Sequence, residues 1–255
     1  MNQTELDVWM SNLHMPPLIR TAWFLDIDGT LLELAATPDE VRVDAEVLDL
    51  LSCLQKATGG AVALISGRSV KAMDTLFNPL HLPVAGQHGV ERRDASGVGH
   101  YLKIDGQNLA AIRHTLAVWA QDRPSLLLED KGFSVALHYR QALNLEEEVR
   151  HFIEVIVAAS GGEFCLQSGK MVIEIKPAGR NKGTAIRNFM KEEPFAHRLP
   201  IFVGDDTSDE FGFEIVNGFC GLSIKVGEGM TVARNRLPDV TSVRKWLESV
   251  TGWVR

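Results

Sequence analysis

Two acidic segments and two shorter polar ones carry the residues with the most chemistry to offer. Asp26-Ile27-Asp28-Gly29-Thr30-Leu31 puts two carboxylates two residues apart, directly after the apolar run Ala22–Leu25. Residues two apart past a strand end can project into one site, and Gly29 permits a tight backbone path. Such a pair can hold a hard cation such as Mg²⁺ through oxygen ligands. One carboxylate can also attack phosphorus while the other gives a proton to a leaving alkoxide. A turn with two solvated acids is the plainer account of the same residues. The second segment is Gly204-Asp205-Asp206-Thr207-Ser208-Asp209-Glu210. Acids packed this closely repel one another unless a cation is present. Asp205 is then the natural metal ligand. Asp206 and Asp209 are counted in the same metal site, Asp209 one turn into the next helix where it can orient partners. An acidic helix start that suits the macrodipole is the alternative. Ser66, in Ser66-Gly67-Arg68, can donate a hydrogen bond to a phosphoryl oxygen. Lys182, in Gly179-Arg180-Asn181-Lys182-Gly183, can neutralise the same group.

The elements that must position these residues are legible in the apolar pattern. Ala22–Leu25, Ala61–Ile65 and Ile201–Val203 are short runs, apolar throughout rather than alternating, as buried parallel strands are. Each stops abruptly at one of the polar segments. Helical spacing lies between them, at Val47, Leu50, Leu51 and Leu54 and again at Met73, Leu76 and Phe77. This alternation predicts a doubly wound α/β sheet, in which ligands sit beyond the carboxyl ends of the strands. The middle of the chain has another rhythm. Leu109, Ile112, Leu116 and Trp119 mark one helix, and Leu145, Val149, Phe152 and Ile156 a second. Each precedes a hairpin, Leu126–Glu129 with Phe133–Arg140 and Phe164–Gln167 with Met171–Lys176. The block reads α-β-β-α-β-β, a small antiparallel sheet with both helices on one face. We expect a core of residues 1–105 and 177–255, with 106–176 inserted as a smaller α+β cap domain that closes over it.

Composition narrows the class. The chain has 255 residues, 45% hydrophobic and 23% charged, which excludes a disordered chain or a small disulfide scaffold. Its 26 basic and 33 acidic residues give a net charge of −7, so no global basic field exists to hold a nucleic acid. Cys53, Cys165 and Cys220 are odd in number and far apart, which argues against a zinc site or a disulfide framework. They read as three buried thiols in a reducing compartment. The first twenty residues do not resemble a secretory signal, and no apolar run reaches the roughly 18 residues needed to span a bilayer. The expectation is a soluble, cytoplasmic, monomeric protein acting on a small molecule, with neither nucleic acid nor membrane as partner.

Taken in order, the four polar segments resemble those of the haloacid dehalogenase superfamily. The resemblance implies a Rossmann-like core with a parallel sheet. It implies Asp26 as nucleophile through an aspartyl-phosphate, Asp28 as general acid and base, and Ser66 and Lys182 as phosphoryl ligands. Mg²⁺ would be held by Asp26, the carbonyl of Asp28, and Asp205. A narrower resemblance, over nearly all of the chain beyond the first twenty residues, is to the bacterial trehalose-6-phosphate phosphatases. It rests on Asp26–Leu34 with Thr37-Pro38-Asp39, Ser66-Gly67-Arg68, Gly86-Gln87-His88-Gly89, Glu129-Asp130-Lys131 through His138-Tyr139-Arg140, Gly169-Lys170 through Glu174 and Pro177, and Gly204–Glu210. It implies that Glu129, Lys131 and Glu174 contact the disaccharide. His138, Gly169 and Lys170 belong to the same cap motifs, and Gly67, Arg68 and His88 to the substrate-binding rim of the core. The implied activity is Mg²⁺-dependent hydrolysis of trehalose 6-phosphate to trehalose and phosphate, a step of trehalose biosynthesis. Two departures stand out: Ser208 where Thr is more usual, and Glu33-Leu34 where many relatives have a proline. Alternatives are another capped sugar phosphatase, acting on sucrose-phosphate or mannosyl-phosphoglycerate, a phosphomutase, or a sugar-phosphate sensor without activity.

Overall fold

The computed structural model describes residues 5, 8–9, 13, 15–35, 40–102, 106–169 and 171–253. Thr37, Pro38, Asp39 and Lys170 therefore lie outside the described residues. The chain divides into two compact units: residues 1–100 with 181–255, and residues 101–180.

In chain order the first stretch holds β1 (Thr21–Leu25), α1 (Ala45–Ala57), β2 (Val62–Ile65), α2 (Val70–Leu76), β3 (Val84–Gly86), β4 (Glu91–Arg93) and β5 (Gly99–Tyr101). The inserted unit holds α3 (Gly106–Gln121), β6 (Leu127–Asp130), β7 (Val135–His138), α4 (Glu146–Ala159), β8 (Phe164–Gly169) and β9 (Val172–Pro177). The chain ends with α5 (Lys182–Phe189), β10 (Leu199–Gly204), α6 (Glu210–Gly218), β11 (Leu222–Val226), β12 (Asn235–Leu237) and α7 (Val240–Thr251).

The larger sheet runs in the order β12-β11-β10-β1-β2-β3-β4-β5. It is parallel from β12 to β3, and β4 turns back antiparallel. β1 is buried along its whole length because both of its faces are covered. Trp23 and Leu25 enter an apolar layer with Leu50, Leu54 and Trp246 from α1 and α7. Ala22 and Phe24 enter the opposite layer with Ile186, Phe189 and Phe213 from α5 and α6. Trp246 is fully buried between Trp9 and Trp23, with ring centroids 5.7 and 5.0 Å away. The near-N-terminal Trp9 thus packs on the core.

Register decides where the chemistry falls. Leu25 stands beside Val203 of β10 and Leu64 of β2, and Leu64 beside Val84 of β3. The apolar runs therefore stop at one level, and the first polar residue of each strand emerges at the same sheet edge. The ladder continues one step further: the Asp26 amide donates to the Val203 carbonyl at 3.0 Å, and the Ser66 amide to Ala85 at 2.9 Å.

The inserted unit carries a four-stranded antiparallel sheet in the order β6-β7-β9-β8. Val135, Leu137, Ile173 and Ile175 are buried on one face, packed with Leu109, Ile112 and Leu116 of α3 and Val149 and Ile153 of α4. Both helices lie on that face, as the αββαββ pattern predicted. Trp119 stacks on Phe152 at 4.3 Å, which ties the two helices together. The thiols differ from the expectation of three buried groups. Cys53 and Cys165 are half-buried and Cys220 is exposed, in a left-handed turn that closes α6 (φ 56°). No helix among the described residues is long and apolar enough to cross a membrane.

Candidate active site

Four segments far apart in sequence meet at the carboxyl edge of the core sheet. Lys182 is the first residue of α5, placed there by Asn181, whose side chain accepts from the Thr184 amide while Thr184 caps back onto the Asn181 amide. Its Nζ donates to Asp26 Oδ1 at 2.8 Å and to Asp209 Oδ1 at 2.7 Å. All three side chains are almost wholly buried, at 3%, 6% and 0% exposure. Close approach of α5 is possible because residue 183 is glycine: a Cβ there would overlap the Phe211 carbonyl.

The loop after β10 is folded around Asp209. Its Oδ2 accepts from the amides of Asp205 (3.1 Å) and Asp206 (2.9 Å), and Gly204 is glycine because a Cβ would overlap the Asp209 carboxylate. Asp209 thus orients the loop and the lysine together. Asp205 turns its carboxylate toward Gly29, where again a Cβ would not fit and where φ is +80°. Carboxylate oxygens of Asp26, Asp205 and Asp209 all lie within 4.8 Å of one another.

Such crowding shifts the acids. Burial pushes the Asp26 carboxyl well above its ordinary value, Lys182 pulls against this, and Asp209 and Asp205 push it higher. Burial and then Asp209 push Asp205 up to about 6. Burial works against the charge on Lys182, but Asp209 and Asp26 outweigh it and hold the ammonium protonated. Three carboxylates face one ammonium, and Asp205 Oδ1 is buried with no hydrogen-bond partner among the described residues. An all-oxygen donor set with surplus negative charge and an unused buried lone pair fits a hard divalent cation.

The other expected residues divide into those the fold brings to this edge and those it does not. Asp28 sits on the turn after Asp26 with its carboxylate held by the fork of Arg68, Nε to Oδ2 and Nη2 to Oδ1, both 2.7 Å. Arg68, expected on the substrate, is thus on Asp28. Ser66 is buried at the end of β2, and its Oγ accepts from the Arg68 amide at 3.1 Å. His88 packs its ring against Gly67, where a Cβ would lie 2.8 Å from Nε2. Asp206, expected among the metal ligands, is exposed, and its carboxylate caps the turn at Thr207–Asp209. Lys225 was missed. It is 5% exposed, stands opposite Gly204 in the β10–β11 register, and its Nζ donates to the Asp205 carbonyl. The signal was available: a lysine inside the apolar run Ile224-Lys225-Val226 needs a reason to be buried.

In the inserted unit the strand pairing aligns a row of polar residues on the face opposite the helices. Glu129 stands beside Ala136, Ala136 beside Glu174, and Glu174 beside Gln167. Lys131 Nζ donates to Glu174 Oε2 at 3.0 Å and lies 4.0 Å from Glu129. His138 Nε2 is 2.9 Å from Glu129 Oε2, and this bond lowers the Glu129 carboxyl below its ordinary value. Gly169 ends β8, paired with Val172.

The comparisons with known proteins agree with this geometry. The family model described as trehalose-phosphatase matches residues 24–238. Trehalose-6-phosphate phosphatase of Escherichia coli (strain K12) is 44% identical over 230 residues, covering 90% of this chain and 86% of that protein. Among solved structures, a trehalose-6-phosphate phosphatase related protein is similar with a TM-score of 0.75 and 32% identity, over 91% of this chain and 97% of the other. A haloacid dehalogenase-like hydrolase from B. subtilis shares the fold, with a TM-score of 0.65 at 13% identity over 90% of this chain and 99% of that one. With the family model matched over residues 24–238 and a relative 44% identical along nearly the whole of both chains, this chain belongs to the trehalose-phosphatase family.

Proposed function

We propose that this chain hydrolyses trehalose 6-phosphate to trehalose and inorganic phosphate through an aspartyl-phosphate on Asp26. The observation that carries the reading is Lys182, one buried ammonium bonded to Asp26 and Asp209 beside Asp205. This gives a fixed carboxylate nucleophile beside a fixed positive charge, in a place where phosphoryl charge can be held. Uncatalysed phosphate-monoester hydrolysis is among the slowest reactions known, needing help of up to ~10²¹-fold, and covalent catalysis divides it into two displacements.

In the first displacement an Asp26 oxygen forms a bond to phosphorus as the bond from phosphorus to the sugar oxygen breaks. Asp28 gives its proton to that oxygen, releasing the sugar alcohol. In the second, Asp28 takes a proton from water, whose oxygen attacks phosphorus and releases Asp26. Lys182 keeps Asp26 aligned and offsets charge on the transferring group. Ser66, buried at the adjacent strand end, would offer its hydroxyl to a phosphoryl oxygen. Asp26, Asp205 and the Asp28 carbonyl would hold Mg²⁺, with Asp209 fixing the loop around them. A divalent cation bound there supplies charge to stabilise the phosphoryl group and to keep Asp26 ionised.

The inserted unit is the specificity cap in this reading. Paired acids and bases on one sheet face, Glu129 with His138 and Lys131 with Glu174, suit sugar hydroxyls, which both donate and accept. Gly169 and Lys170 belong to the same cap motif, and His88 and Gly67 to the core rim. We place the enzyme in the cytoplasm as a monomer, in keeping with three unpaired cysteines.

The test is phosphate release from a panel of sugar phosphates with Mg²⁺, alongside Asp26→Asn. Release from trehalose 6-phosphate alone, abolished by the substitution, supports the chemistry and the cap assignment. Release from another sugar phosphate keeps the chemistry and overturns the cap reading. Bisphosphate-dependent isomerisation in place of release overturns hydrolysis.

A further inference from the structure

We infer that Arg68 is the positioning residue of the proton-transferring carboxylate, setting the direction of Asp28 rather than binding the phosphoryl group. The inference rests on the reading of Asp28 as the acid that protonates the leaving oxygen. Asp28 needs such a partner. It sits on a turn beside a glycine in left-handed conformation, and its side chain is 30% exposed, so packing alone does not fix it. The Arg68 fork engages both of its oxygens at 2.7 Å. A carboxylate has about four lone-pair sites, and the fork takes one on each oxygen. The sites facing away from Arg68 remain for proton transfer, so Asp28 can act while held.

Arg68 is itself built into place. Its amide donates to Ser66 Oγ (3.1 Å) and its carbonyl accepts from the Gln87 amide (3.0 Å). Gln87 and the following His88 are both left-handed, at φ 46° and 56°, a costly conformation for residues other than glycine. His88 is tied back by its amide to the Ser66 carbonyl at 3.0 Å. Residue 86 must be glycine for this approach, since a Cβ would lie 2.8 Å from both the Arg68 carbonyl and the Val70 amide. Strain and close packing beside β2 thus converge on the backbone of one arginine, and that arginine spends its fork on Asp28. A lysine cannot replace it, because an ammonium offers a point charge and no pair of parallel donors.

The prediction separates alkyl from aryl esters. A sugar alkoxide needs a proton as it leaves and a nitrophenolate does not, so loss of a well-aimed acid harms only the first. Single-turnover release of trehalose from trehalose 6-phosphate and the burst of nitrophenolate from p-nitrophenyl phosphate are measured for Arg68→Ala, Arg68→Lys and, as reference, Asp28→Asn. Arg68→Ala is expected to slow trehalose release on the order of 10²-fold and the nitrophenolate burst by less than about tenfold, the selective pattern of Asp28→Asn. Arg68→Lys falls between it and the parent. Should the alanine variant not fold, as read by its thermal melt, the lysine variant carries the test alone. An equal loss on both esters assigns Arg68 to the phosphoryl group and overturns the inference, as does no loss on either. If the unsubstituted enzyme releases no trehalose, the substrate reading fails by itself, and the same comparison with glucose 6-phosphate as the alkyl ester still decides the role of Arg68.

Discussion

Replacing Lys182 by Met keeps most of the side-chain volume and removes the single ammonium between Asp26 and Asp209. Both bonds are short, 2.8 and 2.7 Å, and none of the three side chains is more than 6% exposed, so water cannot take the place of the lost charge. Breaking a buried ion pair from one side costs about 3–5 kcal/mol, because the remaining charges stay buried without a partner. For a chain of this size that is a fall in Tm on the order of 10 °C. The loss must depend on pH. Asp26 lies above its ordinary value in the folded protein because of burial, and without Lys182 it moves higher still. A carboxyl with a folded pKa above its unfolded one contributes stability that is present below the unfolded value and is lost as pH rises through the folded one. The variant should therefore fall less far below the parent at pH 5 than at pH 8, the loss of the Asp209 bond being common to both. Mg²⁺ should return part of the difference at pH 8, by supplying the missing positive charge. Urea unfolding at both pH values, with and without Mg²⁺, measures this. Equal midpoints for variant and parent at pH 8, or an equal loss at both pH values, would refute the argument that uncompensated buried charge sets the cost.

Three further outcomes follow from the same geometry. Asp205 titrates near 6 because of burial and then Asp209, so Mg²⁺ must displace a proton below that pH, and its affinity should fall by about tenfold per pH unit there. Calorimetric titration between pH 5 and 8 checks this, and a flat affinity contradicts it. Gly29→Ala adds a Cβ that overlaps the Asp205 carboxylate, whereas Gly97→Ala, at a similar φ of +85°, meets nothing within 4 Å. Both carry a backbone cost of about 1–2 kcal/mol in a thermal melt, but only Gly29→Ala should also lose Mg²⁺ binding. Glu174→Gln weakens the charge-assisted bond from Lys131, and should raise KM for trehalose 6-phosphate by about tenfold in steady-state assays.

The core was legible because its strands are apolar on both faces and stop abruptly. Ala22–Leu25 followed by Asp26 carries both the element and its functional end. The polar row of the inserted sheet was legible for the same reason of period: Glu174 alternates with Ile173 and Ile175, which are fully buried. Partnerships across the chain were not legible. Nothing local says that Arg68 meets Asp28 forty residues earlier, or that Asp206 turns out to cap its own loop while Asp205 turns in. Those choices depend on which way the loop after β10 is pulled by Asp209. Lys225 was hidden by its setting in an apolar strand, where the eye assigns packing. Register, not composition, brings it opposite Gly204.

The charge balance at the sheet edge links loading to stability. Asp26, Asp205 and Asp209 surround Lys182, and Lys225 faces a carbonyl of the same loop. The carboxylates cannot all ionise cheaply in such a place, which is why burial and their mutual repulsion hold Asp26 and Asp205 above their ordinary values. A divalent cation removes that conflict in the folded state and finds no comparable site in the unfolded chain. Its binding energy is therefore folding energy: at a hundred times its dissociation constant, about 2.7 kcal/mol. At pH 8 this should raise Tm by about 5–10 °C. The rise should shrink toward pH 5, where protons occupy Asp205 instead. Asp205→Asn should abolish the rise at both pH values while leaving the protein folded, since it also removes one of the repelling charges. A rise that survives in Asp205→Asn would mean that the cation acts elsewhere on the surface and that the edge carboxylates are balanced by Lys182 alone.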